Sequence, residues 1–127
     1  MSTTQLRQSE RTRPFVAVFC DVPLLGEAMR STLEFADVQT FAARGGDLDG
    51  LLRSLRPDAL IVDSAAAAEA ASTFAGEHDL PVLHVSMHEP LLRVYRGNRW
   101  ETDGTSTPEA IRNVVAGALF ARAEAPR

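Results

Sequence analysis

The sequence predicts an α/β fold with a parallel sheet covered by helices on both faces. Short apolar runs rich in β-forming residues alternate along the chain with segments whose apolar residues recur at helical spacing. Strands that alternate with helices imply parallel pairing through right-handed crossovers. A length of 127 residues fits one domain of this kind and leaves little room for a second.

Four buried strands are predicted from the apolar runs, at residues 15–20, 38–42, 59–63 and 81–86. Helix starts are marked by Pro23, which suits a first turn, and by the capping residues Asp47, Ser64 and Thr107. Gly76 is expected to end the alanine-rich helix that Ser64 begins. The first helix buries a stripe at four-residue spacing, Leu25, Met29 and Leu33.

The segment between the fourth strand and the last helix, residues 87–106, does not match a strand–helix–strand unit. Residues 91–95 are typical of a strand, Gly97-Asn98 is a hairpin-turn signal, and residues 99–102 can pair back. Tyr95 and Trp100 then either stack across this hairpin or form an exposed aromatic patch for a partner.

Charge and composition exclude several function classes. The net charge is −4, which argues against nucleic acid as a partner, and all 13 basic residues are arginine. Chemistry that needs a lysine amine is therefore excluded. Arg93, Arg96 and Arg99 are interpreted as a solvated strip. The single cysteine, Cys20, excludes an intrachain disulfide.

The domain is expected to span residues 14–122, between a disordered arm at residues 1–13 and a tail at residues 123–127. The arm is polar and lacks the apolar core of a signal peptide, which predicts a cytoplasmic protein. The longest apolar runs are far shorter than a membrane span, so no contact with a membrane is expected.

Ligands of parallel α/β sheets bind at the carboxyl ends of the strands. The predicted strands place Asp21, Asp63 and Ser86 at those ends. Two neighbouring carboxylates can share Mg²⁺, which prefers oxygen ligands, while one of them attacks a phosphoryl group. A hydroxyl at the next strand end can then bond a phosphoryl oxygen. The three side chains form a coherent phosphoryl-accepting set.

The chain resembles the receiver domain of bacterial response regulators over residues 15–122. The resemblance rests on four segments in the family's order and spacing, at residues 19–25, 57–63, 81–86 and 107–109. It implies a flavodoxin-like, doubly wound sheet of five parallel strands in the order 2-1-3-4-5. It also implies that Asp63 is the phosphoacceptor, that Asp21 and Asp63 hold the metal, and that Ser86 is the switch hydroxyl.

Several departures predict a degenerate site. Cys20 stands where the family has its first acid, and the family's lysine falls near Gly104, where this chain has none. Met87, which is larger than the usual residue there, is expected to cover the pocket, with Cys20 and His88 as further pocket residues. Binding of Mg²⁺ is therefore expected to be weak, and no other cofactor is expected.

The sequence thus predicts a receiver-like signal-transduction module of a bacterial two-component-type system, and not an enzyme. It is expected to bind a sensor kinase or a downstream signalling protein, with impaired or absent phosphorylation. A homodimer is also compatible with the sequence.

Three alternatives remain open. One is an active phosphoacceptor that uses Asp63 with Mg²⁺. The second is a small enzyme on a flavodoxin-like fold, which is weaker because no base–nucleophile pair or glycine-rich phosphate loop is visible. The third is a transition-metal site formed by Cys20, His84 and His88. His84 lies inside a strand, however, and is expected to pack between the sheet and a helix.

Overall fold

The computed structural model describes residues 13–21, 23–42, 48–86 and 91–124. Within these ranges the strands are β1 (Phe15–Phe19), β2 (Asp37–Phe41), β3 (Ala59–Val62), β4 (Val82–Val85), β5 (Leu91–Arg96) and β6 (Arg99–Thr105). The helices are α1 (Pro23–Thr32), α2 (Leu48–Leu55), α3 (Ala65–His78) and α4 (Pro108–Glu124). The last helix ends two residues beyond the predicted end of the domain.

The strands form one mostly parallel sheet in the order β2-β1-β3-β4-β5-β6. The first four strands pair in parallel, whereas β5 is antiparallel to β4 and β6 is antiparallel to β5. The predicted α/β class is confirmed, and β1–β5 lie in the predicted order. The prediction of five strands, all parallel, is wrong because an antiparallel hairpin adds β5 and β6 at one edge.

Chain length explains why the last two strands are antiparallel. A parallel crossover needs a dozen or more residues, whereas residues 86–90 alone connect β4 to β5. The turn that follows has positive φ at both central residues, 62° at Gly97 and 66° at Asn98. Two-residue turns of this conformation suit the twist of a hairpin, so the predicted hairpin is confirmed.

The sheet separates two apolar layers. On one face, α1 and α4 pack through Leu25, Met29, Leu33, Ile111 and Val115. On the other face, α2 and α3 pack through Leu52, Ala67, Ala68, Ala71, Phe74 and Ala75. The predicted stripe of α1 is confirmed, and the placement of helices on both faces follows from strands that are apolar in both directions.

Three of the predicted helix signals are confirmed, among them Pro23, which begins α1, and one is wrong. The side chain of Ser64 accepts a hydrogen bond from the Ala67 N–H at 3.2 Å, and Thr107 accepts one from Ala110 at 3.2 Å. The α3 helix does not end at Gly76. It continues to His78, where Asp79 adopts a left-handed conformation and donates its N–H to the Ala75 carbonyl. The predicted cap Asp47 lies outside the described residues.

Gly76 lies where α3 comes close to the hairpin of β5 and β6. A Cβ atom at this position would lie 3.2 Å from the Tyr95 hydroxyl oxygen and 3.3 Å from the Asn98 side-chain oxygen. The hairpin therefore approaches the last turn of α3 at a position without a side chain, and a larger residue there would require Tyr95 and Asn98 to shift.

The start of the sheet is held by Asp58. Its carboxylate accepts a hydrogen bond from the Phe15 N–H at 2.8 Å, and its own N–H donates to the Phe15 carbonyl at 2.8 Å. Nearby, the Arg13 guanidinium donates to the carbonyls of Glu34 and Ala36 at 2.8 and 2.9 Å. In the described part of the chain, each helix is too short or too polar to cross a membrane.

Substitution of two helical glycines tests this packing. A Cβ at Gly26 would lie 2.5 Å from Thr40 Cγ2, whereas a Cβ at Gly117 meets nothing within 4 Å. We expect Gly26→Ala to lower the free energy of unfolding by about 1–2 kcal/mol, because overpacking outweighs the gain in helix propensity. Gly117→Ala should raise it by about 0.5–1 kcal/mol.

Urea unfolding of both variants measures these changes. The Gly26→Ala/Thr40→Ser double variant lacks the clashing methyl group and should recover stability. If both alanine substitutions changed the free energy of unfolding by the same amount, the close approach of α1 to β2 would be contradicted.

Candidate functional site

The parallel part of the sheet brings the ends of β1, β3 and β4 to one edge. Phe19 pairs with Val62, and Val62 pairs with His84, so these strands end nearly level. The residues that follow are Cys20 and Asp21 after β1, Asp63 after β3, and Ser86 after β4. We call this the carboxyl edge.

One hydrogen bond joins two of the predicted site residues. The N–H of Asp21 donates to Oδ2 of Asp63 at 3.1 Å, although the two residues are 42 positions apart in the chain. Asp21 is exposed, and Asp63 is half-buried. The structure therefore brings the predicted phosphoacceptor next to the predicted second acid.

The other carboxylate oxygen of Asp63 is unusual. Oδ1 is buried, and the described residues provide no hydrogen-bond partner for it. A buried acceptor without a partner costs roughly 1–3 kcal/mol, so such atoms in proteins are usually satisfied by a ligand, an ion or a water molecule. A hard cation or a protonated group would satisfy it. The chemistry of Oδ1 thus fits Mg²⁺, for which the described carboxyl edge offers Asp21 and Asp63.

Cys20 has a different environment from the two acids. Its side chain is buried in the layer that contains Leu25 and Met29, and its N–H donates to the Phe41 carbonyl at 3.1 Å. It also borders a cavity of about 370 Å³ between α1 and β2, which Asp21, Glu27 and Arg30 line as well. Asp63 is not among the described residues that line this cavity. The prediction that Cys20 belongs to a pocket around the phosphoacceptor stays a prediction.

The remaining predicted site residues lie at the end of β4. Ser86 is half-buried and directly follows the strand. Its role as switch hydroxyl stays a prediction. The pocket residues Met87 and His88 lie outside the described residues.

The transition-metal alternative is wrong for its first two ligands. Cys20 faces the layer of α1 and α4, whereas His84 faces the layer of α3 and lies 6.4 Å from the Trp100 ring. Two side chains on opposite faces of a sheet cannot share an ion. In the described ranges, no group of three or more His, Cys, Asp or Glu residues could hold a metal.

The hairpin arginines contact groups other than Asp63. The Arg93 guanidinium carbon lies 5.7 Å from the centre of the Trp100 ring. Arg96 forms ion pairs with Glu101 at 3.7 Å and Asp103 at 3.3 Å, and Arg99 pairs with Glu101 at 3.2 Å. These pairs are solvent-exposed, in agreement with the predicted solvated strip.

The aromatic residues of the hairpin pack across it. The rings of Tyr95 and Trp100 lie 5.3 Å apart at an angle of 58°. Of the two interpretations of this pair, contact across the hairpin is therefore confirmed, with the rings tilted rather than parallel. His84 packs between the sheet and α3, as its position inside a strand predicts.

Comparison of the chain with protein-family models, with curated proteins and with solved structures found no match.

Binding of Mg²⁺ at the carboxyl edge can be tested directly. We expect weak binding, with half-saturation well above micromolar concentration, because the described carboxyl edge offers two carboxylates and Asp21 is solvent-exposed. A titration followed by the backbone amide shifts of Asp21 and Asp63 measures the affinity. Asp63→Asn should abolish the response.

Asp79→Asn is the matched control, because it removes an exposed carboxylate between α3 and β4, and asparagine tolerates the left-handed conformation of this residue. It should leave the Mg²⁺ response unchanged. Sub-micromolar affinity, or loss of the response in the control, would contradict a weak site at Asp21 and Asp63.

Proposed function

We propose that this chain is a receiver-like signal-transduction module with a flavodoxin-like fold. The observation that carries the proposal is the hydrogen bond from the Asp21 N–H to Asp63, at the carboxyl ends of β1 and β3. The chain leaves β1 toward β2 on one side and returns to β3 on the other, so the two acids lie where the strand order reverses. Ligands of open α/β sheets bind at such switch points.

Phosphorylation at Asp63 is impaired in this proposal. The chain has no lysine, and the arginines of the hairpin contact Trp100, Glu101 and Asp103. Loss of one preorganised cationic donor typically costs roughly 3–4 kcal/mol of transition-state stabilisation. The thiol of Cys20 is also a poor ligand for Mg²⁺, which prefers oxygen.

Protein contacts then carry the signal. A ligand shifts a conformational equilibrium only by its differential affinity for the two states. A phosphoryl group held by few contacts shifts it little, so the module acts chiefly by binding a partner, either a sensor kinase or a downstream signalling protein. We place this activity in the bacterial cytoplasm, in a two-component-type system and without enzymatic turnover.

A second candidate function is an active phosphoacceptor that uses Mg²⁺. It is favoured by Oδ1 of Asp63, which is buried and has no hydrogen-bond partner among the described residues. A cation at this oxygen would satisfy it and would screen the approach of a phosphoryl group to the carboxylate.

Beryllofluoride, a mimic of a bound phosphoryl group, separates the two functions. Backbone amide spectra are recorded with and without it in saturating Mg²⁺, for the unmodified protein, for Asp63→Asn and for the control Asp79→Asn. We expect small shifts that are confined to residues around Asp63 and that do not reach Ile111 or Val115 in α4.

Large shifts that spread from Asp63 and Ser86 to α4, and that Asp63→Asn alone abolishes, would favour the second candidate. If the shifts persisted in Asp63→Asn, beryllofluoride would bind elsewhere, and both candidate functions would be contradicted because both place the phosphoryl group at Asp63.

A further inference from the structure

A groove separate from the carboxyl-edge acids lies between α3 and the strands β4–β6. It has a volume of about 170 Å³. Its sheet side is formed by His84, Arg93 and Trp100, and its helix side by Ala65, Ala68, Glu69 and Ser72. The small alanine side chains leave the space open.

The cation in this groove has unused hydrogen-bond donors. Arg93 contacts the face of Trp100, but the described residues provide no hydrogen bond or ion pair to its guanidinium. Arg96 and Arg99, on the same hairpin, are both ion-paired to carboxylates. Because a guanidinium offers five N–H donors in a planar fork, Arg93 is available to a ligand that accepts two parallel hydrogen bonds.

The Trp100 ring favours one position of this guanidinium. A cation–π contact holds the guanidinium near the Trp100 face, and at exposed sites such contacts are weak enough to coexist with ligand binding. His84 lies edge-on to the same ring, with 6.4 Å between centroids. The groove therefore presents a positioned cation beside two rings that exclude water from one side.

The volume limits the ligand to a small one. Pockets for drug-sized molecules occupy about 300–1,000 Å³. A water molecule takes about 30 Å³ of liquid, so the groove holds a small oxyanion and a few waters. Planar carboxylates and tetrahedral phosphates both accept a bidentate pair of hydrogen bonds from arginine.

We propose that this groove binds a small oxyanion, a phosphate or a carboxylate group, through Arg93. The Glu69 carboxylate lines the same groove and opposes an anion. Binding is therefore of modest affinity and sensitive to ionic strength, since Arg93 is exposed. Binding at this site does not require phosphorylation of Asp63. It would add a ligand site to the function proposed above.

Trp100 is the only tryptophan of the chain and reports directly on the groove. Sodium phosphate, sodium acetate and, at matched ionic strength, sodium chloride are titrated into the protein while its fluorescence and the amide shifts of Ala68 and Ser72 are followed. We expect a saturable response to phosphate or acetate and none to chloride. Comparison of the two oxyanions tells phosphate and carboxylate ligands apart.

Variants test the role of each charge. Arg93→Ala should weaken binding at least about tenfold, because hydrogen bonds to a charged donor are lost. Arg93→Lys should weaken it less, since the charge remains but the planar fork does not. Glu69→Gln should strengthen binding several-fold. Arg96→Ala is the matched control from the same hairpin and should leave the affinity for the oxyanion unchanged.

Two results would overturn the proposal. One is the absence of any saturable response in both fluorescence and amide shifts. The other is equal weakening by Arg93→Ala and Arg96→Ala, which would indicate nonspecific attraction of anions to the hairpin. Circular dichroism of each variant verifies that the fold is retained.

Discussion

The parallel pairing of β1 with both β2 and β3 is the constraint on which the rest of the structure depends. Residues 16–19 are completely buried, and their side chains alternate between the two apolar layers. A strand buried on both faces requires helices on both sides, and parallel neighbours require crossover connections. At its start, Asp58 exchanges two hydrogen bonds with Phe15 and so fixes the register of β1 against β3. That register is what brings Asp21 beside Asp63 at the other end.

The carboxyl edge contains one residue that suits a cation, Asp63, and one that does not, Cys20. One oxygen of Asp63 accepts the Asp21 N–H, and the other is buried without a partner in the described structure. A buried acceptor of this kind is tolerated when a ligand satisfies it or when stability from elsewhere offsets its cost. Cys20 differs from Asp63, because its thiol is buried in the apolar layer, where it stabilises the core instead of binding a hard cation.

The hairpin changes the electrostatics of one edge of the sheet. Because successive side chains of a strand point to opposite faces of the sheet, neighbouring side chains in β5 and β6 face different surroundings. Arg96, Arg99, Glu101 and Asp103 form a solvated ion-pair network, which contributes little to stability but opposes pairing of the edge strand with another chain. Arg93 instead lies against Trp100, beside α3. The same residue type thus has two roles within one hairpin.

The sequence by itself determined the α/β class, the positions of the strands, the hairpin turn at Gly97-Asn98 and the caps Ser64 and Thr107. These features depend on local patterns: apolar periodicity, turn conformation and hydrogen bonds between near neighbours. It also placed Asp21 and Asp63 at strand ends. Only the tertiary structure decided that α3 continues past Gly76, that Cys20 and His84 face opposite layers, and that Arg93 contacts Trp100. Each of these depends on contacts between residues far apart in the chain, and local patterns do not encode such contacts.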